Sequence, residues 1–339
     1  MDIIIIELPD GKLHSTSFHV RFSSKQVIIS ENVEVLIYIN NKKKDIKMKL
    51  AKSGDAYFSL DKIDKYILDQ SNIKIKSDDE DDYYYINMNL EKNNSKKKCS
   101  LFPSEEHIKK MELNIGRNEI CFVINTYLGG IQTLKSDIYF WSYKNNINEK
   151  LKFILWDIDG TITKSDILGV ILPRIGIDWN HDNVIELINK LSENNYKIIY
   201  LTARAIFQSE ATHNFLYNLS QNNKKLPKGP IIMDPDGAFS SFKKGIIQKQ
   251  QYLIKILSLM EIKNLFENDE QIYFAGFGNK ETDAIAYRYF GIDLKNIFII
   301  NPLSKIKQLG ENEKTNYDEL CKKCDIILVR CGPDVTFIS

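Results

Sequence analysis

Residues 156–163 read Trp156-Asp157-Ile158-Asp159-Gly160-Thr161-Ile162-Thr163 and directly follow the mostly apolar run 152–155. A short apolar run bounded by a turn residue predicts a buried strand over Lys152–Asp157. Side chains alternate along a strand, so Asp157 and Asp159 would project to the same side if the strand continued. Gly160 permits the sharp exit that the chain needs after them. The stretch therefore predicts two neighbouring carboxylates at the end of a buried strand.

Two carboxylates this close repel each other, and a divalent cation between them removes that repulsion. Mg²⁺ suits the position, because it prefers hard oxygen ligands and is typical of phosphate-handling sites. Asp157 could then attack a phosphorus atom. Asp159 could protonate the leaving alcohol and later deprotonate water. Because Asp-x-Asp also occurs by chance in surface turns, this interpretation depends on features further along the chain.

The carboxy-terminal part of the chain alternates between predicted strands and helices. The strands are Lys152–Asp157, Lys197–Thr202, Gln271–Ala275 and Asn296–Ile300, and the helices cover about 182–194, 205–219, 243–260 and 280–290. This alternation predicts a doubly wound parallel sheet with its ligand site at the carboxyl ends of the strands. The gaps from Asp159 to Thr202 and from Thr202 to Lys255 are too short for a separate cap domain, so we predict an open site.

Polar features follow the later strands of this predicted sheet. Thr202 ends one strand and could donate to a phosphoryl oxygen, although threonine there is more often a helix N-cap. The 243–260 helix must supply one lysine to offset carboxylate and phosphate charge, and its candidates are Lys243, Lys244, Lys249 and Lys255. The glycine-rich stretch 276–279 and the following Asp283 could complete a metal shell. Together these strand ends make the metal interpretation much stronger than the Asp-x-Asp pair alone.

The amino-terminal part of the chain has a different pattern. Residues 1–68 contain short alternating strands separated by turns such as Pro9-Asp10-Gly11, which predicts the first part of a β-sandwich. Residues 69–110 carry acidic and basic runs and are predicted as a partly disordered loop. Residues 111–148 supply the remaining strands of the sandwich, and residues 149–339 form the α/β domain.

Composition excludes some partners and leaves others open. The net charge of +1 gives no global attraction to nucleic acid, and we expect no such partner. Five irregularly spaced cysteines predict a reduced, intracellular protein. No run approaches the roughly 20 apolar residues of a membrane span, so membrane contact would be peripheral. Five lysines surround one predicted hairpin, either as a solvated face or as contacts for anionic headgroups: Lys42, Lys43, Lys44, Lys47 and Lys49.

The order of the Asp-x-Asp-Gly-Thr motif, a threonine, a lysine and a glycine-rich acidic loop resembles the haloacid-dehalogenase-like phosphatases. Longer stretches resemble one family within that group, the lipin phosphatidate phosphatases. These stretches are Trp156–Asp166, Leu168–Pro173, Asp178–His181, Thr202–Ala205, Leu226–Pro230 and Gly276–Asn279. Residues 2–60, with Phe18–Phe22, are similar to the family's amino-terminal conserved region.

The resemblance implies Mg²⁺-dependent hydrolysis of phosphatidate to diacylglycerol through a phospho-aspartate on Asp157, at a membrane surface. It implies that Asp159 is the acid/base, that Thr202 and Lys255 complete the catalytic set, and that the first domain is immunoglobulin-like. Lys243 and Lys249 stay open as alternatives to Lys255. The expected metal ligands are Asp157, Asp159, Asn279 and Asp283, and the expected phosphate or substrate contacts are Gly160, Thr161, Ala203 and Arg204.

Two departures and two alternatives accompany this reading. Family members usually begin with an amphipathic helix, whereas this chain starts almost at the first strand, so the resemblance does not imply autonomous membrane docking. The long middle region of animal relatives is reduced to about residues 61–110. The alternatives are a capless phosphatase for another phosphomonoester and a non-catalytic module that binds lipid or a transcriptional partner. We expect a cytoplasmic protein, peripheral on the endoplasmic reticulum or nuclear membrane.

Overall fold

The computed structural model describes most of the chain and divides it into two compact units. The described residues are 1–22, 33–51, 53–60, 72–76, 83–87, 98–126, 130–143, 151–164, 180–234, 252–266, 271–311 and 314–331. Unit 1 comprises Met1–Ile147 and Glu261–Glu267, and unit 2 comprises Asn148–Met260 and Asn268–Ser339. The division between the units lies near residue 148, and the segment Glu261–Glu267 belongs to unit 1 although it is distant in sequence from the rest of that unit.

Polar contacts explain why Glu261–Glu267 groups with unit 1. The carboxylate of Glu261 accepts a hydrogen bond from the backbone N–H of Ser17. The carbonyl oxygen of Leu265 lies 2.8 Å from Nδ1 of His14. These partners are more than 240 residues apart in sequence, so no local sequence pattern predicts their hydrogen bonds.

Unit 1 is mainly a β-sheet. Its elements are β1 (Ile3–Glu7), β2 (Leu13–Ser15), β3 (Glu34–Ile39), β4 (Lys42–Leu50), β5 (Ala56–Leu60), β6 (Asn72–Lys76), β7 (Tyr83–Asn87), β8 (Lys98–Ser100), α1 (Glu105–Met111), β9 (Gly116–Thr126) and β10 (Gly130–Ser142). Eight strands form one sheet in the order β2-β1-β10-β9-β3-β4-β5-β8, and β6 pairs with β7 alone. The range 69–110, predicted as a partly disordered loop, thus contributes β8 to this sheet and also contains α1.

Residues 13–22 connect strands that lie far apart in this sheet. Leu13–Ser15 pair with β1, whereas the backbone N–H of Phe22 donates to Gly54 and that of Ala56 donates to Val20, both at 2.9 Å. A single segment can reach both places only if the sheet curves around a core. Eight of the described strands of unit 1 form one hydrogen-bonded sheet, and β6 and β7 form a separate pair, so the immunoglobulin-like sandwich stays a prediction.

Phe18 occupies the centre of that core. It is fully buried, and its ring packs edge-on against Phe58 of β5 at 5.1 Å and Phe122 of β9 at 6.3 Å. The alternating buried and exposed residues of β4 and β9 show how the sequence supplies one apolar face to the core.

The basic hairpin consists of β3 and β4. Lys44 is buried and pairs with Glu112 at 2.6 Å, and Lys47 pairs with Glu34 at 2.8 Å. Two of the five lysines therefore have acidic partners within unit 1. Whether the hairpin contacts headgroups stays a prediction.

Unit 2 is an α/β domain. Its elements are β11 (Phe153–Asp157), α2 (Val184–Glu193), β12 (Lys197–Ala205), α3 (Ser209–Asn218), β13 (Ser220–Gln221), β14 (Lys224–Lys225), β15 (Ile231–Asp234), α4 (Tyr252–Lys263, ending in unit 1), β16 (Tyr273–Gly278), α5 (Glu281–Tyr289), β17 (Ile297–Ile300), β18 (Ile306–Gln308), β19 (Lys314–Thr315) and α6 (Tyr317–Cys331). The main sheet has the order β15-β12-β11-β16-β17-β18-β19. Its first five strands are parallel, which confirms the predicted mixed α/β architecture with a parallel sheet.

An aromatic stack fixes the register of the central strands. The rings of Trp156 on β11 and Phe277 on β16 are parallel, with centroids 3.8 Å apart, and Phe298 on β17 continues the stack at 4.5 Å. These residues are also direct neighbours in the strand pairing. Because side chains alternate, Asp157 next to Trp156 points away from the stack.

Some predicted features lie outside the described residues. These are Leu168–Pro173, Asp178 and Trp179, and the alternative lysines Lys243, Lys244 and Lys249. The open, capless site stays a prediction for the same reason. None of the described helices is long and apolar enough to cross a membrane.

The position of Phe18 generates a stability prediction. Phe18→Ala should lower the free energy of unfolding by about 3–5 kcal/mol, because it removes a fully buried ring and leaves a cavity. Chemical denaturation monitored by circular dichroism measures the loss. Ile131→Ala is the control, since this β10 side chain is 72% exposed and its removal should cost at most about 0.5 kcal/mol. Equal losses in the two variants would refute a central role for Phe18.

Candidate active site

Residues Asp157–Thr163, which we term the carboxylate loop, leave the central strand of unit 2 in a tight turn. Strand pairing continues for one residue beyond β11, as the N–H of Ile158 donates to Leu201 at 2.9 Å. Gly160 then adopts a positive φ of 85°, a conformation that side chains other than glycine rarely adopt. Asp157 and Asp159 are only 6% and 7% exposed. The loop thus keeps two carboxylates nearly out of solvent, where unpaired charge is costly.

Lys255 offsets the charge of Asp157. Its Nζ lies 2.6 Å from Oδ1 of Asp157 and also contacts Oδ1 of Asp283. α4 supplies the lysine and the first turn of α5 supplies Asp283. The structure therefore brings together the predicted nucleophile, one of the four candidate lysines and one predicted metal ligand. The spacing of the sequence does not distinguish Lys255 from the other lysines of the predicted helix.

The second oxygen of Asp283 organises the glycine-rich loop. Its Oδ2 accepts the backbone N–H groups of Asn279 and Lys280, both at 2.9 Å. Both oxygens of Asp283 thus have donors within the protein. Gly278 makes this approach possible, since a Cβ there would lie 2.4 Å from the Cβ of Asp283.

Asp159 is held by two residues at the end of β12. Thr202 Oγ1 donates to Oδ2 of Asp159 at 2.9 Å, and Arg204 Nη2 donates to Oδ1 at 2.7 Å. Thr202 Oγ1 also accepts the N–H of Arg204 at 3.1 Å, which directs its single proton at Asp159. In this arrangement Thr202 orients a carboxylate, whereas the sequence suggested that it donates to phosphate.

The remaining predicted substrate contacts lie around these carboxylates. Thr161 Oγ1 is 3.3 Å from Oδ2 of Asp157, and Ala203 is exposed between the two residues that hold Asp159. Arg204 keeps one further nitrogen, Nη1, which is buried and has no hydrogen-bond partner among the described residues. Such a donor can accommodate an added anion without losing its contact with Asp159.

Three consecutive carbonyl groups of the carboxylate loop are bound from elsewhere in unit 2. His181 Nε2 lies 3.4 Å from the oxygen of Gly160, Tyr317 donates its hydroxyl to Thr161 at 2.9 Å, and the N–H of His181 donates to Ile162 at 3.0 Å. The other nitrogen of His181, Nδ1, lies 2.8 Å from the hydroxyl of Ser304. Burial lowers the pKa of His181, which favours the neutral ring with one donor and one acceptor nitrogen.

Sequence reasoning found only part of this support. His181, which ends one of the stretches that resemble the lipin family, contacts two carbonyl groups of the carboxylate loop in the structure. Tyr317 and Ser304 were missed, because they lie 156 and 123 residues from their partners and form no motif with them.

The side chains of the site carry more negative than positive charge, which favours binding of a cation. Three carboxylates, Asp157, Asp159 and Asp283, face two cations, Lys255 and Arg204, which leaves one uncompensated negative charge. Burial raises the pKa of Asp157 to about 7, despite the opposing effect of Lys255. Burial also opposes the charge on Lys255, yet the two carboxylates raise the pKa of its ammonium group overall. Hard oxygen donors with residual negative charge fit a divalent cation such as Mg²⁺.

The tight approach of Gly278 to Asp283 is testable by stability alone. Gly278→Ala should destabilise unit 2 by about 1–3 kcal/mol, because the new methyl group displaces Asp283 and its backbone contacts. Lys280→Ala in the same loop is the control, since it keeps the backbone N–H that Asp283 accepts and changes only an exposed side chain. Thermal denaturation of both variants checks this, and an unaffected Gly278→Ala variant would contradict the close packing.

Comparisons with known proteins identify the family to which this chain is similar. The family model LNS2 (Lipin/Ned1/Smp2) matches residues 99–328, and the model of the lipin N-terminal conserved region matches residues 1–78. Phosphatidate phosphatase PAH1 of Arabidopsis thaliana is 41% identical over 204 residues, covering 60% of this chain and 22% of that protein. Phosphatidate phosphatase LPIN1 of Homo sapiens is 35% identical over 230 residues, covering 68% of this chain and 25% of that protein.

A fungal protein is also similar to this chain. Phosphatidic acid phosphohydrolase 1 of Saccharomyces cerevisiae is 36% identical over 208 residues, covering 58% of this chain and 23% of that protein. The chain thus spans about a quarter of the length of these curated relatives. The two family models nonetheless account for both units of this chain, and the larger one covers the carboxylate loop and its partners. The chain therefore belongs to the lipin family.

Proposed function

We propose that this chain is a Mg²⁺-dependent phosphatidate phosphatase that forms a phospho-aspartate on Asp157. The observation that carries the proposal is the arrangement of two buried carboxylates with different partners. Asp157 is paired with Lys255, and Asp159 is held by Thr202 and Arg204. The names of the relatives support phosphatidate as the substrate and diacylglycerol and phosphate as the products.

The metal would be held by the oxygen-rich side of the site. Asp157, Asp159, Asn279 and Asp283 are the proposed ligands, since a carboxylate oxygen that accepts one hydrogen bond keeps a lone pair for a metal. When bound, Mg²⁺ supplies positive charge that neutralises the phosphoryl oxygens and makes the phosphorus easier to attack. Asp283 also serves to position Lys255 and the glycine-rich loop.

Asp157 is the proposed nucleophile. Its Oδ1 is bound by Lys255 at 2.6 Å, whereas Oδ2 has only the longer contact to Thr161 at 3.3 Å. We infer that Oδ2 attacks the phosphorus, forming the new P–O bond as the bond to the glycerol oxygen breaks. Lys255 favours the ionised form of Asp157 and offsets the negative charge that the phosphate brings into the site.

Asp159 is the proposed acid and base. As a carboxylic acid it gives its proton to the departing glycerol oxygen, and as a carboxylate it takes a proton from the water that attacks the phospho-aspartate. The second step releases inorganic phosphate and restores Asp157. Thr202 and Arg204 hold Asp159 in a fixed direction, and the unpartnered Nη1 of Arg204 is available to a phosphoryl oxygen.

The remaining proposals concern context. We propose that unit 1 has an immunoglobulin-like arrangement, supported by the curved sheet that residues 13–22 close around Phe18. Phosphatidate resides in bilayers, so the reaction takes place at a membrane surface, with the protein cytoplasmic and peripheral on the endoplasmic reticulum or nuclear membrane.

The nucleophile is tested by substitution. Asp157→Asn should abolish Mg²⁺-dependent phosphate release from phosphatidate in detergent micelles, because an amide is a poor nucleophile. Asp159→Asn should slow both phosphate transfer to Asp157 and hydrolysis of the phospho-aspartate, because it removes the group that protonates the leaving alcohol and deprotonates the attacking water. Asp182→Asn, at an exposed acid in the same unit, is the matched control and should keep full activity. Release from soluble phosphomonoesters but not from phosphatidate would transfer the proposal to another substrate, and release by Asp157→Asn would end it.

The raised pKa of Asp157 predicts that protons compete with the metal. Below a pH of about 7 the metal-free carboxyl is largely protonated, so Mg²⁺ affinity should fall by roughly tenfold per pH unit, with proton release on binding. Above that value the affinity should level off. Isothermal titration calorimetry in buffers of different ionisation enthalpy measures both the affinity and the released proton. An affinity that is the same on both sides of neutral pH would contradict the assignment of Asp157 as a ligand.

A further inference from the structure

Two apolar side chains of unit 2 stand out for their exposure. Phe207 is 78% exposed and Leu303 is 80% exposed, whereas the other exposed large apolar side chains among the described residues of this unit, such as Leu294, reach at most 42%. Single exposed apolar residues are ordinary on protein surfaces. Phe207 and Leu303 differ from such residues because both lie close to the candidate active site.

Both side chains lie at the edge of the sheet that carries the carboxylate loop. Phe207 is in a 3₁₀ turn just after β12, and Leu303 is in the turn that follows β17. Strands β12, β11, β16 and β17 are parallel, so their carboxyl ends share one edge, with Asp157 at the end of β11 between the two turns. The order of strands therefore places one exposed apolar residue on each side of the site.

Hydrogen bonds connect these turns to the site itself. Ser304, next to Leu303, contacts His181 at 2.8 Å, and His181 in turn contacts the Gly160 carbonyl at 3.4 Å. On the other side, Arg204 precedes Phe207 closely in sequence and binds Asp159. The two turns are thus fixed relative to the carboxylate loop and do not protrude from remote parts of the domain.

We propose that Phe207 and Leu303 are membrane anchors that enter a phospholipid bilayer on either side of the carboxylate loop. The inference rests on the proposed function. A phosphate group held at the bilayer surface can reach the nearly buried Asp157 only if this edge of the sheet faces the membrane. Apolar side chains that project from that edge then transfer from water into the lipid, which is favourable. Lys305, exposed beside Leu303, suits the anionic headgroups.

Binding is measured without turnover. In an Asp157→Asn background, sedimentation with phosphatidylcholine vesicles that contain phosphatidate reports membrane affinity directly. Phe207→Ser and Leu303→Ser should each weaken binding by about tenfold, and the double variant should weaken it further. Leu294→Ser is the matched control, because this exposed leucine precedes β17 and lies at the opposite edge of the sheet. Its vesicle binding should be unchanged.

Activity assays of variants that keep Asp157 distinguish a loss of membrane binding from a loss of catalysis. With Asp157 intact, the Phe207→Ser and Leu303→Ser variants should keep normal rates on short-chain phosphatidate dissolved as monomers and lose rate on vesicles. That result also shows that the variants are folded. Unchanged vesicle binding in the double variant, or a loss equal to that of Leu294→Ser, would overturn the anchor proposal. Failure of the wild type to hydrolyse phosphatidate in either form would refute the proposed function instead.

Discussion

The contact of Lys255 with Asp157 and Asp283 is the constraint on which the rest of the site depends. One ammonium group joins residues from the end of β11, α4 and the start of α5. Without it, two carboxylates would be buried close together with no compensating charge, which proteins avoid at high cost. Gly278 is part of the same arrangement, since only a residue without a side chain lets Asp283 pack against the backbone at this position. The close packing at Gly278, the charge balance around Lys255 and the conformation of the glycine-rich loop therefore depend on one another.

A second level of support acts on the backbone and not on the carboxylates. The carbonyl groups of residues 160–162 accept hydrogen bonds from His181 and Tyr317, which restrain the conformation of the loop. Beneath it, the stack of Trp156, Phe277 and Phe298 holds the parallel strands in register. Rigid placement of this kind is what transition-state stabilisation requires, because charges that must reorganise during the reaction stabilise it less.

The two aspartates differ in their surroundings although they are separated by one residue. Asp157 contacts an ammonium group that is shared with another acid, whereas Asp159 receives a hydroxyl and a guanidinium donor. Different partners suit the different tasks proposed for them, nucleophilic attack for Asp157 and proton exchange for Asp159. The position of both at an edge flanked by Phe207 and Leu303 relates this chemistry to the place where a lipid phosphate would be met.

The sequence by itself determined the parallel α/β architecture, the strand that ends at Asp157 and the identity of the residues that surround it. It could do so because apolar runs, glycines and paired acids are local patterns with a direct structural meaning. Thr202 and Asp283 follow predicted strands and were identified in the same way, whereas Lys255 was one of several candidate lysines and was singled out only by the resemblance to the lipin family. Local patterns did not show that Thr202 points its proton at Asp159, that Asp283 uses both oxygens within the protein, or that Tyr317 and Ser304 belong to the site. Only the tertiary structure decided these points, because each depends on side chains from distant segments competing for the same few donors and acceptors.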